Sequence, residues 1–110
     1  MTADPNTTPL SDAIRVADNP EASRFEAYLD GQVAGFSEYL TKPGRLIFTH
    51  TVVEPEYEGQ GVGSKLVREE LDDVRKRGLK VTPACPFVRA YIRRHQEYQD
   101  LVARPDDRSH

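Results

Sequence analysis

The sequence predicts a small α/β domain of the α+β kind, with a mixed, mostly antiparallel sheet and two main helices. Three observations predict it. Short runs of alternating apolar and polar residues are separated by Asp-Gly and Pro-Gly pairs, which is typical of antiparallel strands joined by tight turns. A glycine-rich bend at residues 59–63 comes directly before a helical pattern. A short strand-like segment follows that helix, and a strand–helix–strand unit normally crosses over into a parallel pairing.

Length and composition allow one domain. The chain has 110 residues, of which 37% are hydrophobic and 30% are charged, so a core can form beneath a charged surface. We expect residues 13–104 to form this domain. The segments 1–12 and 105–110 are polar and are predicted to be flexible tails.

Charge and cysteine content exclude several classes of protein. The net charge of -3 and the pI near 5.6 argue against nucleic acid or an anionic membrane as the partner. A single cysteine cannot form an internal disulfide, which favours the reducing cytosol. The sequence has neither a signal-peptide pattern nor an apolar run of the roughly 20 residues that span a bilayer. We therefore expect a cytoplasmic protein.

Four strands are predicted in the first half of the chain. Residues 13–17 form a short first strand, followed by a turn at 18–21. Residues 24–29 alternate, with Phe25, Ala27 and Leu29 on one face, and Asp30-Gly31 supplies a two-residue hairpin turn. The third strand, 32–40, places Ala34, Phe36 and Leu40 on one side. After a turn at Pro43-Gly44 the fourth strand runs over 45–53, and Pro55 ends its ladder.

The second half predicts helix, strand and helix. A helix over 62–77 carries a stripe of apolar residues and has basic residues in its last turn, with Gly78 just beyond. Residues 79–82 read as a strand parallel to 45–53. A second helix begins at Pro86 and extends to about residue 95, and 96–102 form a further helical turn. The stripe of the first helix comprises Val62, Leu66, Val67, Leu71 and Val74.

The glycine bend predicts an anion site. Gly59, Gly61 and Gly63 precede a helix whose first N–H groups have no intrahelical partner, and the helix dipole adds positive charge there. The spacing does not fit the phosphate loop of nucleotide hydrolases, which needs four residues between its glycines and a lysine after the second. It does not fit the dinucleotide fingerprint G-x-G-x-x-G either.

The segment Glu58-Gly59-Gln60-Gly61-Val62-Gly63 resembles the pyrophosphate-binding motif of the Gcn5-related N-acetyltransferases. In that family the pattern is Arg/Gln-x-x-Gly-x-Gly/Ala, after a strand and at the head of a long helix; here Glu58 replaces the Arg or Gln. The resemblance extends over about residues 13–102. It is closest to the small, cysteine-containing branch, through Phe25, Asp30-Gly31, His50-Thr51 and Cys85-Pro86-Phe87.

The resemblance implies a reduced version of the family fold, with a splayed parallel strand pair that holds acetyl-coenzyme A. It assigns the pantetheine arm to the backbone of Thr51 and Val53. It assigns the diphosphate to the bend, with the candidate residues Gly59, Gln60, Gly61, Val62, Gly63 and Ser64. Larger relatives have two helices between the first two strands, and residues 19–23 are too few for them. The acceptor site is therefore expected to be open.

Cys85 has two interpretations. It is an inert buried thiol, as free cysteines usually are. Alternatively, its place at the start of a helix favours the reactive thiolate. In the second case it either takes the acetyl group as a nucleophile or forms a polar wall beside the cofactor sulfur.

His50 and Tyr91 complete the candidate catalytic set. His50 shares a predicted strand face with Phe48 and Val52, so a core histidine is the simpler interpretation, and a general base is the alternative. Tyr91 matches the helical tyrosine that in relatives donates a proton to the leaving thiolate, although core packing explains it equally well. One cysteine and three scattered histidines show no metal-ligand spacing.

The sequence thus predicts an acetyl-coenzyme A-dependent N-acetyltransferase acting on an amine, either of a protein or of a small molecule. Transfer proceeds directly or through acetylated Cys85. The alternative is a non-catalytic acyl-coenzyme A-binding or protein-interaction module. A small sheet with open edges is compatible with a monomer or a weak homodimer.

Overall fold

The computed structural model describes residues 13–104 and confirms the predicted mixed sheet with two main helices. The predicted tails, 1–12 and 105–110, lie outside the described residues. The elements follow in the order β1 (Arg15–Asn19), β2 (Arg24–Leu29), β3 (Gln32–Lys42), β4 (Arg45–Val53), a 3₁₀ helix (Pro55–Tyr57), α1 (Val62–Lys76), β5 (Lys80–Pro83), α2 (Pro86–Arg94) and a second 3₁₀ helix (Gln96–Leu101).

The strands lie side by side in sequence order in one sheet. The first three pairings are antiparallel, and β5 pairs parallel to β4 after the crossover through α1. Asp30 and Gly31 have φ angles of 55° and 78°, the left-handed conformation that a tight hairpin turn demands. The predicted hairpins and the parallel crossover are therefore confirmed.

The first strand lies two residues later than predicted, over Arg15–Asn19 instead of 13–17. Asp18 was predicted in a turn, but its carboxylate accepts hydrogen bonds from the Tyr39 hydroxyl and the Arg77 guanidinium, both at 2.7 Å. These bonds hold it within the strand. Only residues 20–23 connect β1 to β2, which leaves no room for helices between them.

Two β-bulges decide which side chains of β3 and β4 enter the core. Ala34 is the extra residue where the β2–β3 register shifts, and Thr49 is the extra residue where the β3–β4 register shifts. Each extra residue reverses the alternation of faces that follows it. The prediction that Ala34, Phe36 and Leu40 share one side of the strand is therefore wrong, since of these three only Ala34 is in the core. Leu40 is 54% exposed, and the Phe36 ring lies 4.2 Å from the Arg24 guanidinium on the other face.

The core lies between the sheet and the helices. The rings of Phe25, Tyr39 and Phe48 meet there, with centroids 5.6 to 6.0 Å apart. Helix α1 packs its buried stripe against the same face of the sheet, and α2 and the second 3₁₀ helix extend the core. None of the helices within residues 13–104 has the length and apolar character needed to span a bilayer. The stripe of α1 comprises Val62, Gly63, Leu66, Val67, Glu70, Leu71 and Val74.

Candidate active site

Strands β4 and β5 separate halfway along β4. Their pairing runs from Arg45–Lys80 to Phe48–Pro83. Pro83 has no N–H, and the Ala84 N–H turns back to the Thr82 carbonyl at 3.0 Å, so β5 cannot continue the ladder. Within the described chain, residues 50–53 of β4 therefore pair with β3 alone.

Thr51 and Val53 direct their backbone polar groups into this gap. The Glu54 N–H donates to the Ala34 carbonyl of β3 at 2.8 Å. Because the amides of a strand alternate between its two edges, those of Thr51 and Val53 face away from β3. An extended ligand between β4 and β5 could bond to them as an added strand does.

The glycine bend leads into an uncapped helix start. Gly59 and Gly61 both have a φ of 81°, and a Cβ on either would meet no atom within 4 Å, so the backbone conformation and not the available space requires glycine. Gly61 is the N-cap of α1; no side chain caps the helix and no acidic residue lies in its first turn. The amides of Val62, Gly63 and Ser64 consequently have no intrahelical acceptor, which makes this end suitable for an anion.

Two clefts border the bend. The first, of about 300 Å³, lies between the end of β4 and α2 and is lined by Val53, Tyr57, Glu58, Gly59, Gly61, Val62, Gly63, Ser64 and Phe87. The second, of about 310 Å³, carries two cationic side chains and is lined by Gly61, Ser64, Lys65, Arg68, Tyr91 and His95. A larger cleft of about 430 Å³ lies beside Lys80 and Asp100 and includes no residue of the bend. Because Val53 lines the first cleft, the gap and the bend form one continuous candidate site.

Cys85 lies at the point where β4 and β5 part. It is the N-cap of α2 and only 4% exposed, and its N–H donates to the Phe48 carbonyl at 2.8 Å. Its Sγ donates to Thr51 Oγ1 at 3.3 Å, and that oxygen lies 3.5 Å from Ser37 Oγ. The structure thus brings two predicted site residues, Cys85 and Thr51, into contact. The thiol therefore lies next to the hydroxyls of Thr51 and Ser37 and not only next to apolar side chains.

His50 is exposed, so the prediction of a core histidine is wrong. The cause is the bulge at Thr49, whose hydroxyl donates to the Glu38 carbonyl at 3.3 Å. After this extra residue, Thr51 takes the core-facing position and His50 lies on the opposite face of β4, away from the Cys85 thiol. Within residues 13–104, no group of three His, Cys, Asp or Glu side chains could hold a metal ion.

Tyr91 is buried on α2 and borders the second cleft, beside Gly61 and Ser64. Its ring stacks on His95 with centroids 4.0 Å apart. Burial is the main cause that raises the pKa of the Tyr91 hydroxyl, while the charge of Arg68 lowers it. The hydroxyl is therefore protonated near neutral pH, and Tyr91 lines the same cleft as Gly61, the last residue before α1.

The sequence reasoning missed Glu70 and Ser37, both fully buried. Neither oxygen of the Glu70 carboxyl has a hydrogen bond of normal geometry within the described structure. Burial raises the pKa of Glu70 well above its ordinary value, the nearby Ser37 hydroxyl partly opposes this, and Cys85 raises it further. The helical spacing could have identified Glu70, since it places this acid between Val67 and Val74 on the apolar stripe of α1.

Comparison with models of protein families identifies one family, and comparison with solved structures identifies the same fold. A model of the GCN5-related N-acetyl-transferase family matches residues 24–101, which is most of the chain. A search of curated proteins gives no significant match. Among solved structures, a GCN5-like protein from Staphylococcus aureus has a TM-score of 0.62 at 22% identity, covering 83% of this chain and 89% of that chain. The ribosomal-protein-S18-alanine N-acetyltransferase from Escherichia coli has a TM-score of 0.56 at 17% identity, covering 87% of this chain and 72% of that chain. These two structures share the fold described above.

Proposed function

This chain belongs to the GCN5-related N-acetyltransferase family, and on that premise we propose that it transfers the acetyl group of acetyl-coenzyme A to an amine. The parting of β4 from β5 after Phe48 carries this proposal. The amides of Thr51 and Val53 face the gap, and the uncapped start of α1 lies at its far end. These backbone groups suit an amide-containing arm that ends in a diphosphate.

The chain binds acetyl-coenzyme A mainly through backbone groups. Thr51 and Val53 pair with the pantetheine arm, and the bend surrounds the diphosphate with the amides of Gly59, Gln60, Gly61, Val62, Gly63 and Ser64. Glu58 brings a negative charge to the bend and is exposed. Lys65 and Arg68, which line the adjoining cleft, supply the positive charge that the first position of the motif lacks.

Acetyl-coenzyme A supplies an activated acetyl group, and the proposed path ends beside Cys85. The amine attacks the acetyl carbon directly, with N–H groups of the gap stabilising the oxyanion, or the acetyl group passes first to Cys85 Sγ. Tyr91 keeps its proton near neutral pH and serves as a proton donor from the side of the bend. His50 acts as a base only toward the acceptor amine, since it lies on the face of β4 away from Cys85.

The acceptor reaches the site from the side of the short β1–β2 connection, which does not enclose it. Four residues connect β1 to β2, where larger relatives have two helices. An amine that belongs to a protein, at its N-terminus or on a lysine, can be positioned by contacts of the rest of that protein. It therefore fits this arrangement better than a small amine that needs an enclosing pocket. We therefore assign a protein amine as the first acceptor class to test.

Thermal unfolding with acetyl-coenzyme A tests binding. A ligand at 100 times its dissociation constant adds about 2.7 kcal/mol to the free energy of unfolding and must raise the midpoint. Transfer is then measured by mass spectrometry on peptides with free N-termini and lysines. An unchanged midpoint at millimolar acetyl-coenzyme A would contradict the proposal.

The covalent route has its own test. Intact mass after mixing with acetyl-coenzyme A should show one acetyl adduct in the wild type and none in Cys85→Ser. If Cys85→Ser transfers acetyl groups at the wild-type rate, Cys85 is not the nucleophile.

The second candidate function is a non-catalytic acyl-coenzyme A-binding module. Glu58 favours it, because an exposed carboxylate stands where the family motif has Arg or Gln. It predicts binding without transfer to any amine. Transfer to one acceptor excludes it.

A further inference from the structure

Phe87 is an exposed aromatic residue at the edge of the gap between β4 and β5. It is the second residue of α2 and follows Cys85 by two positions. Its exposed fraction is 39%, and within residues 13–104 Leu40 is the other large hydrophobic residue that is exposed. A single exposed apolar residue is ordinary. Phe87, however, lines the first cleft together with Val53 and the glycine bend, so it lies against the candidate site.

The ring of Phe87 explains the third glycine of the bend. Gly59 and Gly61 have positive φ angles, whereas Gly63 does not. A Cβ on Gly63 would lie 2.8 Å from Phe87 Cζ and 3.2 Å from Phe87 Cε2. Carbon atoms make their best contact at about 3.5–4.0 Å, so a side chain here would collide with the ring. Gly63 is therefore a glycine because the ring lies on its backbone.

The ring also joins the two sides of the gap. Phe87 belongs to α2, which follows β5, while Gly63 belongs to the first turn of α1. Val53, the last residue of β4, is close as well, since its Cγ2 would lie 3.5 Å from the same Cβ. An extended ligand that bonds to the Val53 backbone and continues to the bend therefore passes along the Phe87 ring.

The first cleft combines three kinds of lining. The bend offers amide groups to an anion, and the Val53 backbone offers its polar groups to an amide. The side chains of Val53, Tyr57 and Phe87 add apolar surface in the same cleft. A ligand that fits carries an amide, a bulky apolar carbon and a diphosphate within a short length. Coenzyme A has this order, because a carbon with two methyl groups lies between the first amide of its arm and its diphosphate.

We propose that Phe87 is a specificity-determining residue of the donor site, whose ring packs against the dimethyl carbon of coenzyme A next to the diphosphate. This inference rests on the proposed function. The ring keeps its contact with Gly63 and offers its exposed surface to the ligand. It favours a donor with a pantetheine arm over a nucleotide with the same phosphates, since the nucleotide has no such carbon.

Calorimetric titration with acetyl-coenzyme A tests the contact. Phe87→Ala should raise the Kd about tenfold, because it removes most of the apolar surface that covers the two methyl groups. Leu40→Ala is the matched control; it removes the other exposed apolar side chain, which lines neither cleft, and should leave the Kd unchanged. A Kd for Phe87→Ala within about twofold of the wild-type value would overturn the inference.

A second ligand distinguishes a direct contact from an effect on the bend. Adenosine 3′-phosphate 5′-diphosphate is the nucleotide half of coenzyme A, which keeps its phosphates and lacks its arm. Its Kd, measured by competition with acetyl-coenzyme A, should be the same for the wild type and Phe87→Ala. An equal loss of affinity for both ligands would show that Phe87 acts by holding Gly63 and the bend, and would overturn the inference.

Proton NMR detects the contact itself and needs only acetyl-coenzyme A. Saturation of the aromatic protons of the wild type should pass to the two methyl groups of the bound ligand. Phe87→Leu keeps an apolar side chain without a ring, so the transfer should be much weaker in this variant. Tyr57 also lines the cleft. Equal transfer in both proteins would assign the contact to another ring and overturn the inference, whether or not Phe87→Ala folds.

Binding by the wild type separates this inference from the proposed function. If the wild type does not bind acetyl-coenzyme A, the proposed function fails and the inference fails with it. If the wild type binds and transfers the acetyl group, but neither the Kd nor the saturation transfer depends on Phe87, only the inference fails.

Discussion

The thiol of Cys85 lies 3.3 Å from the hydroxyl oxygen of Thr51 and joins the start of α2 to the half of β4 that does not pair with β5. The Cys85 N–H also donates to the Phe48 carbonyl, at 2.8 Å. Cys85 therefore contacts β4 at Phe48, the last residue that pairs with β5, and again at Thr51. These two contacts set where the gap between β4 and β5 begins.

Thr51→Val distinguishes the role of the Thr51 hydroxyl from the role of the Thr51 backbone. The variant keeps the branched shape but loses the hydroxyl and its contacts with Cys85 and Ser37, so the free energy of unfolding should fall by about 1 kcal/mol. The proposed binding uses the backbone, so the Kd for acetyl-coenzyme A in calorimetry should change by less than about twofold. The exposed Thr41 provides the control, since Thr41→Val should change neither quantity. A tenfold weaker Kd for Thr51→Val would assign binding to the side chain.

Gly61→Ala should weaken binding of acetyl-coenzyme A, and Gly44→Ala should not. Gly61 and Gly44 have φ angles of 81° and 75° and free space around the missing Cβ. An alanine at either position should therefore cost about 1–2 kcal/mol of stability through backbone strain alone. Gly44 lies in the β3–β4 turn, far along the chain from the helix start. Calorimetric titration at a temperature where both variants are folded measures the difference, and equal affinities would remove the bend from the binding site.

Glu70→Gln should stabilise the protein increasingly as pH rises. Burial raises the folded-state pKa of Glu70 well above 4.5, so between that value and its folded pKa the folded state holds more protons than the unfolded state. The free energy of unfolding of the wild type therefore falls with pH in this window, by at most about 1.4 kcal/mol per pH unit. Glutamine carries no such penalty. Urea unfolding at several pH values should show the two proteins diverging above pH 4.5, and parallel curves would mean that Glu70 is ionised in the folded state without cost.

Glu26→Gln should show the opposite dependence on pH. The hydrogen bond from Tyr28, followed by those from Arg24 and Asn19, lowers the pKa of Glu26 below 4.5 against the opposing effect of burial. A lowered folded pKa contributes stability that is present above the unfolded value and is lost as pH falls through the folded one. The variant should therefore be less stable than the wild type at neutral pH and approach it in acid. A deficit that is constant with pH would attribute the loss to packing.

His50→Ala should leave the fold and the thiol unchanged. His50 is exposed, and its removal should alter the free energy of unfolding by no more than about 0.5 kcal/mol. The alkylation rate of Cys85 should equal that of the wild type, since the two side chains lie on opposite sides of the sheet. If His50 deprotonates the acceptor amine, His50→Ala should lower turnover, and raising the pH should restore it, because the amine then loses its proton to the solvent. A changed alkylation rate would show that His50 communicates with Cys85.

Much of this fold could be predicted because its causes are local. Asp30-Gly31 encodes a hairpin turn in two residues, and Gly61 encodes the start of α1 through its left-handed backbone. The helix predicted over 62–77 is observed over Val62–Lys76, because an apolar stripe at helical spacing depends on that segment alone. The contact between Cys85 and Thr51 was not predicted, although both residues were placed in the site.

The order of the elements, the two hairpins and the glycine bend could be predicted from the sequence, because each is specified by residues that are neighbours in the chain. The packed structure alone places His50 outward, Tyr39 and not Leu40 in the core, and the Glu70 carboxyl in the interior without a hydrogen bond. A β-bulge belongs to a pair of strands, and one extra residue reverses every side chain after it. The polar contacts among Ser37, Thr51 and Cys85 likewise exist only once β3, β4 and the start of α2 are packed together.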